Sequence, residues 1–377
     1  MRALKGLMWG SLALIAWTHA GYPLAAAAVA RIRPRGVRKS DATPDLSIIV
    51  AAHDEEDVIR RRVENLHALD YPRERMDIVV ASDGSTDATD AIVEEIAAGE
   101  PRVTLVRCPR RGKVAAQNAA VRRTDTEIVA FTDANTLWAP DSLRKLVRNF
   151  ADPDVAYVCG QLRLQDADGT NREGVYWRYE LWLRHHESLV GSITGGNGAI
   201  YAVRRSDYIE GDDPRIGHDL WLPYKLTQQG KRAVYEPEAL ALEKPARDPE
   251  DEYGRKLRMS EHGWLILLEG GLLRRGPPLY RLAFVSHRVL RYGSGLLHVV
   301  LLASSLRLAP TGRVYRLALL GQLAWLGLAA CGRARIAVPG AALAYYYLLV
   351  TTATVVGLSR YLRFGVVAVW EKAEGTR

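Results

Sequence analysis

The chain has 377 residues, with 51 lysines and arginines against 43 aspartates and glutamates, a formal net charge of +8 and 48% hydrophobic residues. That length holds one large or two modest domains with ample core. The cations stand beside apolar runs (Arg31, Arg33, Arg35, Arg38 and Lys39 after one, Arg274, Arg275 and Arg281 before another) rather than in one block interleaved with aromatics. This excludes a nucleic-acid-binding surface and points to a membrane protein. Cys108, Cys159 and Cys331 are far apart, odd in number and without metal spacing, which reads as packing in a reducing compartment.

Leu7 to Ala30 carries no charge and is long enough to cross about 30 Å of hydrocarbon. A cleaved signal peptide is the rival reading, because Ala25 to Ala30 offers small residues for cleavage. The five cations that follow outnumber Arg2 and Lys5. They favour an uncleaved anchor with its N-terminus outside and the downstream chain in the cytoplasm.

From Leu46 to about Ser206 short apolar runs alternate with helix-like stretches. Strands are expected at Leu46–Ala51, at a run ending in Ala81, at Val103–Arg107 and at Ile128–Thr132. Helices are expected at Glu55–Leu69, Ala88–Ala98, Lys113–Arg123 and from Pro140 to near Phe150. Strands alternating with helices predict an α/β fold with a mostly parallel sheet. Asn171 to Val190 reads as a helix carrying Trp177, Tyr179, Trp182 and His186, a stripe that suits a core as readily as a sugar platform.

After Gly276-Pro277-Pro278 the composition turns apolar again. Leu282–Leu306 carries His287, Arg288 and Arg291, so its first half is expected in the lipid interface and its second half in the bilayer. Val314–Ala330 and Ile336–Leu358 read as further spans. The expected organisation is an anchor and basic linker over 1–40, a cytoplasmic domain over 41–275, and an interfacial helix with about three spans over 276–377.

Three aspartates carry the chemistry. Asp83 opens the loop Asp83-Gly84-Ser85-Thr86-Asp87, and Asp133 opens Asp133-Ala134-Asn135, each just past a strand-like run. In α/β sheets the crevice beyond the carboxyl ends of strands is where ligands bind. Asp219 follows in Gly217-His218-Asp219-Leu220-Trp221. Taken alone, Asp83 also suits a turn and Asp133 a helix cap.

Ala51-Ala52-His53-Asp54-Glu55-Glu56, the Ser82–Asp87 loop, Arg111-Gly112-Lys113 with Gln117-Asn118, Thr132-Asp133-Ala134-Asn135 and Gly196-Asn197-Gly198 follow one another in order. In that order they resemble family 2 glycosyltransferases, in the bacterial membrane-bound branch related to cellulose, chitin and hyaluronan synthases. The resemblance covers roughly Leu46 to Ser260 and implies a GT-A nucleotide-sugar-binding domain between an N-terminal anchor and C-terminal transmembrane helices.

The resemblance implies roles residue by residue. Ala51, His53, Glu55, Asp83 and Gly84 would hold the base and ribose of a nucleotide sugar, although His53 replaces a tyrosine and a plain loop histidine is equally compatible. Asp133, with Asn135 in place of a second aspartate, would hold Mg²⁺ or Mn²⁺, a hard cation that takes carboxylate, phosphate and water oxygens. Asp219 would be the base that deprotonates the acceptor hydroxyl, with Asp212 and Asp213 as rivals and His218 where an acid is usual. Lys113 and Arg258 would neutralise the departing diphosphate. Arg255 and Met259 replace the glutamine and tryptophan of the processive motif, and an interfacial basic helix is the alternative reading of this stretch. Gly196, Asn197, Trp177 and Arg255 would border the acceptor, although a structural turn also explains the glycines.

The implied activity is inverting transfer of a hexose or N-acetylhexosamine from a UDP-sugar to a saccharide, polyprenyl or glycolipid acceptor, in a multi-pass bacterial inner-membrane enzyme. A second copy of the chain or an export partner is compatible with this plan. The alternative is a non-catalytic nucleotide-sugar-binding subunit of a polysaccharide assembly complex. Donor sugar, linkage and processivity are not written in these motifs.

Overall fold

The computed structural model describes residues 1–164, 174–244 and 249–369. Asn171, where the aromatic helix was expected to begin, lies outside them. An eight-stranded sheet forms the centre: β1 Leu46–Ala52, β2 Met76–Asp83, β3 Val103–Cys108, β4 Ile128–Asp133, β5 Leu137–Trp138, β6 Val155–Leu164, β7 Tyr201–Arg204 and β8 Arg232–Glu243. Their spatial order is β3-β2-β1-β4-β7-β6-β8-β5. Every residue of β1 is buried, as a continuous apolar run in the middle of a doubly covered sheet should be. At the edge, β3 is buried only at Val103 and Val106.

The β3-β2-β1-β4 block is parallel, and so is the β6–β8 pair. The sheet is mostly parallel, as expected, with β7 and β5 antiparallel to their neighbours. β7 enters from the glycine stretch at the carboxyl end of β4 and runs back along it. β8 therefore runs in the direction of β4 and ends, at Glu243, on the same edge of the sheet.

Two apolar layers cover the sheet. On one face Ile59, Val63 and Leu66 of the helix Ile59–His67 pack on Leu46, Ile48 and Val50. On the other, Ala116 and Ala120 of Lys113–Val121 meet Ile49, Val129 and Phe131. The helix expected from Pro140 is shorter, spanning Ser142–Val147, and continues as a 3₁₀ turn over Arg148–Ala151.

Among the described residues, four helices are long and apolar enough to cross a membrane: Arg2–Ile32, Pro278–Thr311, Arg313–Arg333 and Ala341–Phe364. The first contains a π-helical turn at Trp17–Gly21. On the Pro278–Thr311 helix the polar residues His287 and Arg291 turn toward protein. His287 sits between two carboxylates, with Nδ1 2.8 Å from Glu187 Oε1 and Nε2 3.2 Å from Glu180 Oε2. Arg291 pairs with Glu180, and the Tyr22 hydroxyl of the first helix donates to Glu187 at 2.7 Å. Charged side chains on a membrane helix are costly unless paired, and the helix Val175–Val190 supplies the partners.

Candidate active site

The parallel block sets the site. With Ala51 in register with Ala81 on one side and Asp133 on the other, the ends of β1, β2 and β4 open onto one edge of the sheet. Asp54 ties the first two loops together: its Oδ1 accepts the Thr86 N–H at 2.6 Å, and its own N–H donates to Ser85 Oγ at 3.1 Å. Asp54 holds a left-handed backbone, φ 52°. His53 Nε2 lies 3.4 Å from Asp54 Oδ2, and Glu55 is buried beside it, its N–H donating to Thr89 Oγ1.

Asp83 is fully buried. Its carboxylate accepts from Arg110 Nη1 at 2.7 Å, the Arg111 N–H at 2.8 Å and the Gly112 N–H at 3.0 Å. These contacts hold the loop that delivers Lys113, a use distinct from the direct base or ribose contact expected from sequence. Gly84 is required where that loop closes. Its φ is +66°, and a Cβ there would lie 3.0 Å from the Arg110 backbone nitrogen.

Lys113, the first residue of its helix, reaches across to Asp133 at the end of β4, and its ammonium donates to the Asp133 carboxylate. Burial opposes the charge on Lys113, but Asp133 outweighs it and holds the ammonium above its ordinary value. Gly198 backs this pair, since a Cβ there would stand 3.1 Å from Lys113 Nζ and 3.6 Å from Asp133 Oδ2. Asn135 lies in the turn after β4.

Asp219 occupies the first turn of the helix His218–Gln228, where a carboxylate is favoured by the helix dipole. The Gly196 N–H donates to its carbonyl at 2.5 Å, and the Leu220 N–H donates to its carboxylate at 3.1 Å. Asp219 and Glu243 both act electrostatically on Lys113. Of the rival acids, Asp213 is committed to Arg215 through paired bonds of 2.7 and 3.0 Å, which hold it below the usual carboxylate range, and Asp212 is exposed.

His218 points into the core between Phe131 and Tyr208. Its ring nitrogens lie 3.3 Å from the hydroxyls of Tyr201 and Tyr208. Burial, with the Lys113 charge in the same sense, pushes its pKa down to about 3, so it stands as a neutral ring.

The acceptor-side expectations separate. A Cβ on Gly196 would fall 2.2 Å from the Tyr157 hydroxyl, so glycine is obligatory there. Asn197 pins the stretch, donating to Gly160 O at 2.9 Å and accepting from the N–H groups of Ala199 and Ile200. Trp177 packs against the apolar layers and donates from Nε1 to Leu162 O at 3.1 Å. Arg255 is bonded to Glu252 and felt electrostatically at Glu243, whereas Arg258 is exposed on the helix Pro249–Glu269.

Glu243 was missed by sequence reasoning. Its carboxylate accepts from Thr136 Oγ1 at 2.6 Å, one step from the Asp133–Asn135 turn. Burial and then the Asp133 charge raise its pKa. The available signal was the alternating run Arg232–Glu243, whose end marks another strand terminus. Asp54 and Arg110 were missed as well, being loop residues identified only by their partners.

Among the described residues no three His, Cys, Asp or Glu side chains group into a metal cage. Asp133 and Asn135 nonetheless suit a hard divalent ion of the Mg²⁺ or Mn²⁺ kind, which takes one or two carboxylates and completes its shell with phosphate and water. Lys113 already marks the Asp133 oxygens as a place for positive charge.

Residues 47–211 match the model of glycosyl transferase family 2. Over that segment the chain is similar to family 2 glycosyltransferases. The fold agrees. A mannosyltransferase of Pyrobaculum calidifontis, solved with GDP-Man and Mn²⁺, superposes with a TM-score of 0.71 at 24% identity, over 95% of this chain and 99% of that one. The architecture is thus GT-A-like, with long apolar helices at both ends. Among curated relatives, a beta-monoglucosyldiacylglycerol synthase of Synechocystis is 30% identical over 196 residues, 48% of this chain and 40% of that protein. A poly-beta-1,6-N-acetyl-D-glucosamine synthase of Staphylococcus aureus is 24% identical over 254 residues, 65% and 61%. The matches thus span about two fifths to three fifths of these relatives' length. The similarity is to polysaccharide and glycolipid synthases broadly, not to the cellulose, chitin and hyaluronan synthases in particular.

Proposed function

We propose that this protein is an inverting glycosyltransferase that moves a hexose or N-acetylhexosamine from a UDP-sugar to a lipid-linked or saccharide acceptor at a membrane surface. The observation that carries the reading is the convergence of Lys113, Asp133, Gly198 and Asp219 at the carboxyl edge of the sheet. The names of the curated relatives state glucosyl and N-acetylglucosaminyl products, which supports the sugar class. The mannosyltransferase holds GDP-Man, so the base is the part of the donor most in need of a direct test.

In this reading the loops ending β1 and β2 bind the nucleoside, with Asp83 acting through the 110–112 loop. Asp133 and Asn135 hold the divalent ion, which supplies charge neutralisation to the diphosphate when bound. Lys113 donates to the leaving diphosphate as negative charge grows on it. Asp219 accepts the proton of the acceptor hydroxyl, and that oxygen forms the new bond to the anomeric carbon as the sugar–phosphate bond breaks. Gly198 leaves room for the sugar by presenting backbone beside Lys113 and Asp133, where a side chain would intrude. The domain faces the cytoplasm of a bacterial inner membrane, with the basic linker after Ala30 on that side.

The test is product analysis. Purified protein supplied with the accepted donor and membrane lipid extract should yield one new glycolipid band or an oligosaccharide ladder, which also separates single from repeated addition. Nucleotide-sugar binding without any product, in extract and with saccharide primers alike, would favour the non-catalytic subunit instead.

A further inference from the structure

A groove of about 390 Å³ lies outside the catalytic edge, between the first apolar helix and the start of the Pro278–Thr311 helix. Ala25 and Val29 form one wall and Leu279 and Leu282 the other, with Gly191 and Ser192 as the floor. Leu24 and Ile32 beside the first wall, and Leu279 and Leu282 on the second, are exposed large apolar side chains, so the groove opens toward the surroundings of the spans. Arg35 and Lys231 stand at its rim.

Its depth in the membrane follows from the sequence on both walls. The first helix runs directly from Val29 into exposed Arg31, Arg33 and Arg35, and the second begins just after Arg274 and Arg275. Basic residues at span ends sit at the level of lipid phosphates. Arg35 pairs with Asp154 at 2.9 Å with both side chains more than half exposed, and an exposed pair of that kind is weak. Lys231 pairs loosely with Asp207 at 3.2 Å. Both cations can turn to a stronger anion. The site thus combines an acyl-sized apolar slot with positive charge at headgroup height.

We propose that this groove binds one acyl chain of an anionic bilayer phospholipid, with its phosphate held by Arg35 and Lys231. The occupant is a resident membrane lipid, in a groove whose lining includes none of Lys113, Asp133, Gly198 and Asp219. Because the groove floor lies four residues before Gly196, whose N–H bonds Asp219, the lipid braces the glycine stretch from the membrane side.

The test uses the full chain in nanodiscs of mixed phosphatidylglycerol and phosphatidylcholine, with a tracer of either lipid carrying a photoactivatable acyl chain. Cross-links from the phosphatidylglycerol tracer should concentrate in residues 22–29 and 277–283. Ala25→Trp, at an exposed position, should remove them by filling the slot. Arg35→Gln and Lys231→Gln should each lower phosphatidylglycerol labelling about fivefold while leaving phosphatidylcholine labelling unchanged. Equal labelling by both tracers, or labelling spread evenly onto Arg313–Arg333, would overturn the proposal. Protein–protein cross-links through the same peptides would also overturn it, by assigning the groove to a second copy of the chain.

Discussion

The Lys113 ammonium is bonded to the Asp133 carboxylate across the carboxyl edge of the sheet, with Gly198 directly behind the pair. Nothing local brings these residues together. Lys113 starts a helix held in place by the buried Asp83, and Asp133 ends the central strand β4. The pair is therefore a product of the parallel register, and in the proposed reaction it places a cation where the diphosphate would leave. Lys113→Met should lower kcat/KM by about 10²–10³, the usual effect of removing one donor to developing charge. Both side chains are partly exposed, so the melting temperature should barely move. Stopped-time assays with thermal melts check both parts.

Asp219→Asn should leave nucleotide binding intact and lower kcat by about 10²–10⁴. Asp213→Asn, which touches only the Arg215 pair, should retain near-normal turnover. Calorimetric binding beside initial rates separates the two. The reverse pattern would move the base assignment to Asp213.

Much of this was legible in the sequence, for a physical reason. β1, β2 and β4 are buried on both faces, so they read as apolar runs, and their ends announce Asp83 and Asp133. The later strands were harder. Tyr201–Arg204 is only four residues long, and Arg232–Glu243 begins with a buried arginine whose guanidinium donates to the carbonyls of Arg35, Gly36 and Gly191. Missing β8 meant missing Glu243. His287 and Arg291 read as interfacial because their partners, Glu187 and Glu180, lie about a hundred residues earlier. Asp83 shows the limit of motif reading: the residue was found, but its buried bonds to the 110–112 loop appear only in three dimensions.

Gly196→Ala should destabilise the protein by about 1–3 kcal/mol, the usual cost of overpacking, because its Cβ would strike the Tyr157 hydroxyl. That hydroxyl is buried without a hydrogen-bond partner among the described residues, so Tyr157→Phe alone should be neutral or mildly stabilising. Combined with Gly196→Ala it should recover part of the loss. Thermal melts of the two single variants and the double complete the cycle.

His218 gives the protein an acid-sensitive core. Its pKa falls from 6.5 in the unfolded chain to about 3 in the fold, so the unfolded state binds the extra proton between those values. The stability contributed by the neutral ring is present above about pH 6.5 and is lost as pH falls toward 3, by at most about 1.4 kcal/mol per pH unit. Denaturation of the detergent-solubilised protein across that window should show this slope, and His218→Gln should flatten it.

The most direct measurement is nucleotide release by purified protein over a panel of UDP-sugars and GDP-mannose, with Mn²⁺, Mg²⁺ or EDTA, for the native chain and Asp133→Ala. The account predicts release from a UDP-sugar that requires a divalent ion and is abolished by EDTA and by Asp133→Ala. Release that persists at full rate in EDTA and in Asp133→Ala would contradict it.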